Sequence, residues 1–146
     1  MTNLSWLKVK KLSKNAKIPT YGHEGDACFD LYALEDYVVK PGDVLLIRTG
    51  LAMAISEGYE MQVRPRSSLS LKGLIIPNSP CTIDPGYRGE IKTPMANVSD
   101  KAVIIRAGDR YAQATIKPIW RVIFQEVAEL PDSERGEGGF GSTGSR

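Results

Sequence analysis

The 146-residue chain has a single histidine, His23, and two cysteines, Cys28 and Cys81, and these scarcities remove several chemistries at once. One imidazole and two thiols at no zinc-like spacing cannot assemble a Cys/His metal cage. No Ser/His/Asp or Cys/His relay exists unless that one imidazole serves, and it lies in the polar stretch Tyr21-Gly22-His23-Glu24-Gly25-Asp26, where a solvated loop residue is expected. The cysteines are expected to be reduced packing residues. No apolar run approaches the ~20 residues of a membrane span, and Met1-Thr2-Asn3-Leu4-Ser5 lacks the basic flank and apolar core of a secretory leader. A cytoplasmic location without a membrane partner is expected. The net charge of +2 is small and its lysines and arginines are scattered, which argues against a nucleic-acid partner. Glycine-rich phosphate loops of the Walker and dinucleotide types are absent. If the chain is an enzyme, its base is expected to be a carboxylate.

With 42% hydrophobic and 25% charged residues, the composition fits one globular domain with one core. No segment holds a helical period over three turns; short runs of β-formers alternate with Gly, Pro, Asp and Asn. Strands are expected at Leu7 to Val9, Phe29 to Ala33, Tyr37 to Val39, Val44 to Arg48, Leu51 to Ile55 and Tyr59 to Val63. Others are expected at Ile91 to Met95, Ala102 to Ile105, Ala112 to Ile116 and Val122 to Val127. Turns of hairpin length, such as Lys40-Pro41-Gly42-Asp43, Ser56-Glu57-Gly58 and Arg106-Ala107-Gly108-Asp109, separate many of them. The pattern favours an all-β sandwich, jelly roll or barrel. One helical turn is expected, at Ser67 to Leu71.

The terminal stretch Arg135-Gly136-Glu137-Gly138-Gly139-Phe140-Gly141-Ser142-Thr143-Gly144 holds five glycines, too many for a helix or strand interior. It reads either as a disordered Gly/Ser terminus or as a lid whose cation, ring and hydroxyls order over a nucleotide. Asp84-Pro85-Gly86-Tyr87 has tight-turn chemistry and is expected to form a hairpin, with Asp84 either capping the turn or acting as a base beside Tyr87 and Arg88. Pro65-Arg66-Ser67-Ser68-Leu69 places a cation and two hydroxyls where a helical turn starts, suited to a phosphate or to ordinary capping. Asp26-Ala27-Cys28-Phe29-Asp30-Leu31 and Gly108-Asp109-Arg110-Tyr111-Ala112-Gln113 are weak signals singly.

In this order, from Asp26 to Gly144, the five segments resemble the trimeric dUTPases, the deoxyuridine triphosphate nucleotidohydrolases. The resemblance implies a β jelly roll of the β-clip type, residues 1–130, in a homotrimer with shared active sites, and an arm, residues 131–146, that closes over a neighbour's site. It implies hydrolysis of dUTP to dUMP and pyrophosphate by water attack on the α-phosphorus, limiting uracil in DNA and supplying dUMP for dTMP synthesis. Asp84 would orient and deprotonate the water, and Asp30 would hold a water bound to a Mg²⁺ carried by the triphosphate. Arg66, Ser67, Ser68 and Gln113 would grip the phosphates, and Arg135, Ser142 and Thr143 the γ end. Asn78 and the backbone around Cys81, Thr82 and Ile83 would read uracil, Tyr87 would exclude a 2′-hydroxyl, and Phe140 with Gly141 would cover the base. The chain departs from the family pattern at Ser68 and Cys81, where glycine is usual, and the Cys81 Cβ is a candidate to crowd the base. The related dCTP deaminases need a glutamate after the third segment, and Ile91-Lys92-Thr93-Pro94-Met95-Ala96-Asn97 supplies none. A nucleotide-gated interaction protein of the same fold is the other alternative.

Overall fold

The computed structural model describes residues 6–144; Met1 to Ser5, read above for a leader, and Ser145 and Arg146, the end of the proposed arm, lie outside the described residues. The order of elements is β1 (Lys8–Lys11), β2 (Thr20–Tyr21), β3 (Phe29–Tyr32), β4 (Tyr37–Val39), β5 (Val44–Ala54), β6 (Tyr59–Pro65), α1 (Ser67–Ser70), β7 (Leu74–Ile75), β8 (Cys81–Ile83), β9 (Glu90–Asn97), β10 (Val103–Ile105) and β11 (Arg110–Pro118). The strands form a four-stranded sheet, β1-β5-β9-β7, a five-stranded sheet, β2-β3-β11-β6-β8, and the ribbon β10-β4. Every pairing is antiparallel. The architecture is the all-β, jelly-roll-like one expected.

Period-two alternation produces it. On β9, Ile91, Thr93 and Met95 are fully buried while Lys92 and Pro94 face outward; on β6, Met61 and Val63 point in and Glu60, Gln62 and Arg64 point out. The inward set joins Leu31, Val39, Ile47, Leu51, Leu74 and Ile105 in one core. Outside, Gln62 Nε2 donates to Glu60 (2.6 Å) and Arg64 Nη2 donates to Gln62 Oε1 (2.8 Å), which gives Arg64 a place in a surface ladder. Asn97, buried where β9 ends, donates to the Val39 and Lys101 carbonyls and accepts from the Ser99 amide and hydroxyl, so its amide is satisfied at both ends.

Three expectations are corrected. Val44 to Arg48 and Leu51 to Ile55 are one strand, because Gly50 makes a bulge rather than a turn. Its φ is +68°, an added Cβ would stand 3.0 Å from Leu34 and 3.1 Å from Ala16, and its amide donates to Glu90 (2.9 Å), so pairing with β9 resumes beyond it. The hairpins are not hairpins. The turns at Lys40 to Asp43, Ser56 to Gly58, Asp84 to Tyr87 and Arg106 to Asp109 each join strands of different sheets; among the described residues only β2 and β3 are both consecutive and paired. Turn chemistry fixes a reversal but not which edge accepts the returning strand. Val122 to Val127 forms no strand, since no edge among the described residues pairs with it, and Ile123 and Phe124 are almost wholly exposed. Strands β2, β7 and β8, too short to show alternation, escaped the sequence pattern.

The two large sheets are joined through a buried hydrogen bond between Thr93 Oγ1 and Tyr111 Oη (3.0 Å). Burial pushes the Tyr111 hydroxyl well above the ordinary tyrosine range, so the fold tolerates only its neutral form. That contribution is intact below the unfolded tyrosine value of about 10 and is lost as pH rises beyond it. Tyr111→Phe should lower stability by about 1–2 kcal/mol near neutral pH, since the Thr93 hydroxyl loses its partner. Urea midpoints should also show the wild type losing stability more steeply than the variant above about pH 10; parallel pH profiles would contradict this.

Candidate active site

Asp30 lies on β3 with its side chain only 12% exposed, and each carboxylate oxygen faces a different arginine. Arg66 Nε stands 3.2 Å from Oδ1 and Arg110 Nη1 3.5 Å from Oδ2. Arg66 Nη1 also donates to the Arg110 carbonyl (3.0 Å). β-sheet register brings these segments together: Gln113 of β11 opposes Asp30 on one side and Arg64 of β6 on the other. Gln113 Nε2 donates to the Pro65 carbonyl (2.9 Å) and fixes the backbone entering α1, leaving its second amide hydrogen available. Arg66 caps α1 without a side-chain bond, its carbonyl accepting the Leu69 and Ser70 amides, and Ser67 and Ser68 are exposed. Arg66, Ser68, Leu69, Ile105, Asp109 and Arg110 line a cleft of about 210 Å³. The first, second and fourth sequence segments thus meet in one place.

Asp109 also lines that cleft, and its Oδ2 accepts the Arg106 amide (2.8 Å) within its own turn. Asp36 holds the same turn from outside, accepting the Ala107 amide (2.8 Å) and Arg106 Nη1 (3.0 Å). These donors, the Ala107 amide foremost, lower the Asp36 pKa below the usual carboxylate value. Arg110 carries no role in the sequence reading beyond membership of its segment; its place after a Gly-Asp turn was the available signal.

The third segment is arranged differently. Asp84 is exposed, its carbonyl accepts the Tyr87 amide (3.1 Å), and among the described residues its carboxylate has no hydrogen bond or ion pair. Asp26, Asp43 and Asp109 each cap their own turn with a carboxylate oxygen, to His23, Lys40 and Arg106. Asp84 does not: Arg88 closes this turn instead, Nη1 donating to the Pro85 (2.6 Å) and Tyr87 (2.9 Å) carbonyls. Tyr87 folds back over Gly89 and its hydroxyl donates to the Glu90 carbonyl (2.9 Å). Glu90, its side chain 13% exposed, receives Arg48 Nε (3.1 Å), and this bond chiefly raises the Arg48 pKa above its ordinary value. Cys81 packs into the core, so its side chain is turned away from the face that carries exposed Thr82; exposed Asn78 precedes it in the β7–β8 connection. The Asp84 turn borders a separate groove of about 510 Å³ lined by Pro85, Gly86 and Arg88 with Trp6 and Lys8.

Arg135, Phe140, Gly141, Ser142 and Thr143 are not brought to either place by their own chain. Arg135 Nε donates to the Gly138 carbonyl (2.8 Å), Phe140 is fully exposed with φ +49°, and every hydrogen bond of the 131–144 stretch among the described residues is local. His23 is exposed in its loop.

This is an all-β protein with a cleft lined by two arginines and a separate turn carrying an exposed carboxylate. The dUTPase family model matches residues 14–144, and the chain belongs to the dUTPase family. It is 51% identical over 140 residues to the deoxyuridine 5′-triphosphate nucleotidohydrolase of Clostridium kluyveri, covering 95% of this chain and 98% of that one. Among solved structures it resembles a mutant dUTPase of Staphylococcus bacteriophage 80alpha with dUpNHpp, at a TM-score of 0.89 and 33% identity over 97% of this chain and 99% of the other. It also resembles a mutant dUTPase of S. aureus phage phi11, described as coordinating a structural Mg(II) ion, at a TM-score of 0.77 and 30% identity over 86% and 99%.

Gly89 is the residue that lets the Tyr87 ring lie where it does: an added Cβ would stand 2.5 Å from Tyr87 Oη and 2.7 Å from Cζ. Gly89→Ala should expel the ring and break the bond to Glu90, visible as a moved Tyr87 in a crystal structure of the variant. A ring found in place would show that the contact does not constrain it.

Proposed function

We propose that this chain is a dUTP diphosphatase, hydrolysing dUTP to dUMP and pyrophosphate through water attack on the α-phosphorus. The observation that carries the reading is the Asp84 carboxylate. A turn aspartate that leaves its backbone uncapped, exposed and without a partner, is available to orient a water and accept its proton. A carboxylate is a weak base at neutral pH, so placement and charge neutralisation supply most of the acceleration.

Those come from the other cleft. Arg66, Ser67 and Ser68 grip the phosphates, joined by the free amide hydrogen of Gln113. A uracil edge meets Asn78 and the backbone of Thr82 and Ile83, with Tyr87 under the sugar, where its ring would exclude a 2′-hydroxyl. Arg135, Phe140, Gly141, Ser142 and Thr143 close over the nucleotide.

Register supports a site built from more than one copy. Ile83 opposes Met61, so Asp84 leaves the sheet beside Glu60, six residues before Arg66 on the same strand run. At ~3.3 Å per residue that is about 20 Å, too far for both to engage neighbouring atoms of one triphosphate. A homotrimer in which Asp84 of one copy meets Arg66 of the next brings them together. The exposed apolar stretch containing Trp120, Ile123, Phe124 and Leu130 also gains cover in such an assembly. The arm, residues 131–146, then closes a neighbour's site as a unit distinct from the body.

No cluster of three or more His, Cys, Asp or Glu side chains among the described residues could cage a metal. The donors fit Mg²⁺ carried by the triphosphate and its waters, with Asp30 accepting from one such water. When bound, Mg²⁺ would spread the charge developing on the phosphoryl oxygens. Deamination of dCTP is disfavoured: β9 offers no carboxylate after Glu90, which is itself held by Arg48 and Gly50. The role implied is removal of dUTP, which limits uracil in DNA and supplies dUMP for dTMP synthesis, in the cytoplasm. No helix among the described residues is long and apolar enough to cross a membrane.

Asp84→Asn should reduce kcat for pyrophosphate release from dUTP by at least about 10²-fold while a non-hydrolysable analogue binds within a few-fold of wild type. Retained turnover would remove Asp84 from the chemistry. A chain ending at Glu134 should keep its fold and its thermal midpoint yet lose most of its kcat/KM, since water is no longer excluded from the closed site. Full activity without the arm would refute closure.

A further inference from the structure

Asp30 presents a puzzle of sign. A site for a polyanion is lined by Arg66 and Arg110, yet a carboxylate sits beneath both, with its side chain only 12% exposed. Judged by charge alone, that carboxylate repels the phosphates. Its geometry says otherwise, because it fixes the two guanidinium groups relative to each other. One oxygen takes Arg66 Nε, the other faces Arg110 Nη1, and Arg66 Nη1 is tied to the Arg110 carbonyl. The Arg66 fork is thereby held at Nε by an ion pair and at Nη1 by a hydrogen bond, and among the described residues Nη2 has no protein partner. Arginine side chains carry large rotamer entropy, and a fork fixed in advance loses less of it on binding.

We propose that Asp30 and Arg110 are positioning residues that preorganise Arg66 as a phosphate fork, independently of any metal. Arg110 acts on Arg66 through its carbonyl and through the shared carboxylate, and its half-exposed guanidinium offsets the charge of Asp30. Asp109, the other carboxylate at the cleft, accepts the Arg106 amide and, among the described residues, forms no ion pair with either arginine. The inference rests on the cleft being the phosphate site proposed above.

The test uses the full-length protein, EDTA and a dUTP analogue with a non-hydrolysable α,β bridge, followed by calorimetric titration. Metal-free binding isolates the fork from any metal-bound water. Asp30→Asn should weaken binding about tenfold, the effect of losing the ion pair that orients Arg66. In an Arg66→Ala background the same change should have no further effect. Unchanged or tighter binding by Asp30→Asn, the outcome that charge alone predicts, overturns the proposal, as does full additivity with Arg66→Ala. Because Asp30 is buried, Arg110→Lys provides an exposed second probe. It keeps the charge and loses the planar fork, so weaker binding supports positioning and unchanged binding refutes it. Failure of the wild type to bind the analogue with or without Mg²⁺ would instead sink the underlying reading of the cleft.

Discussion

The Asp30 carboxylate, held between Arg66 and Arg110, is the interaction on which the arrangement of the arginine-lined cleft depends. It ties β3 to the residue that starts α1 and to the first residue of β11, segments separated in the chain by up to 80 positions. A charge withdrawn from water costs heavily unless it is paired and hydrogen-bonded. Here the surrounding cations satisfy it, and their own geometry is fixed in return. The Gln113 bond to Pro65 adds a neutral clamp on the same backbone.

That cluster exists because the fold routes consecutive strands to different sheets. Each tight turn carries the chain across the core instead of back along an edge, so neighbours in sequence separate and distant segments pair. Asp30, Gln113 and Arg64 stand abreast as a result, on three strands of one sheet. The same routing sends Asp84 to the other end of β6. One chain therefore carries an arginine-lined cleft and a carboxylate on a turn at opposite ends of β6, the two halves of the proposed shared site.

Much of this was legible in the sequence because alternation is local. Strands such as Tyr59 to Val63 and Ile91 to Met95 alternate buried and outward-facing residues, and the helical turn after Arg66 follows from its serines and the preceding proline. The ordered segments pointed to the family, and three of them, the first, second and fourth, meet around Asp30. Sheet partners were not legible: nothing in Asp84-Pro85-Gly86-Tyr87 states that β8 and β9 belong to different sheets. Gly50 looks like a break until Glu90, forty residues away, accepts its amide. Val122 to Val127 has strand composition but no partner edge among the described residues. Arg110 gained a role only once its carbonyl and guanidinium were seen to face Arg66 and Asp30.

A site divided between copies is the central claim, and subunit complementation measures it most directly. Asp84→Asn and Arg66→Ala chains, each inactive alone, are co-expressed with separable tags, and the mixed assemblies are assayed for pyrophosphate release from dUTP. Activity should return in the mixed assemblies, because an intact Asp84 from one chain meets an intact Arg66 from another. Mixed assemblies as inactive as either parent would place both residues in a site made by a single chain and contradict the division.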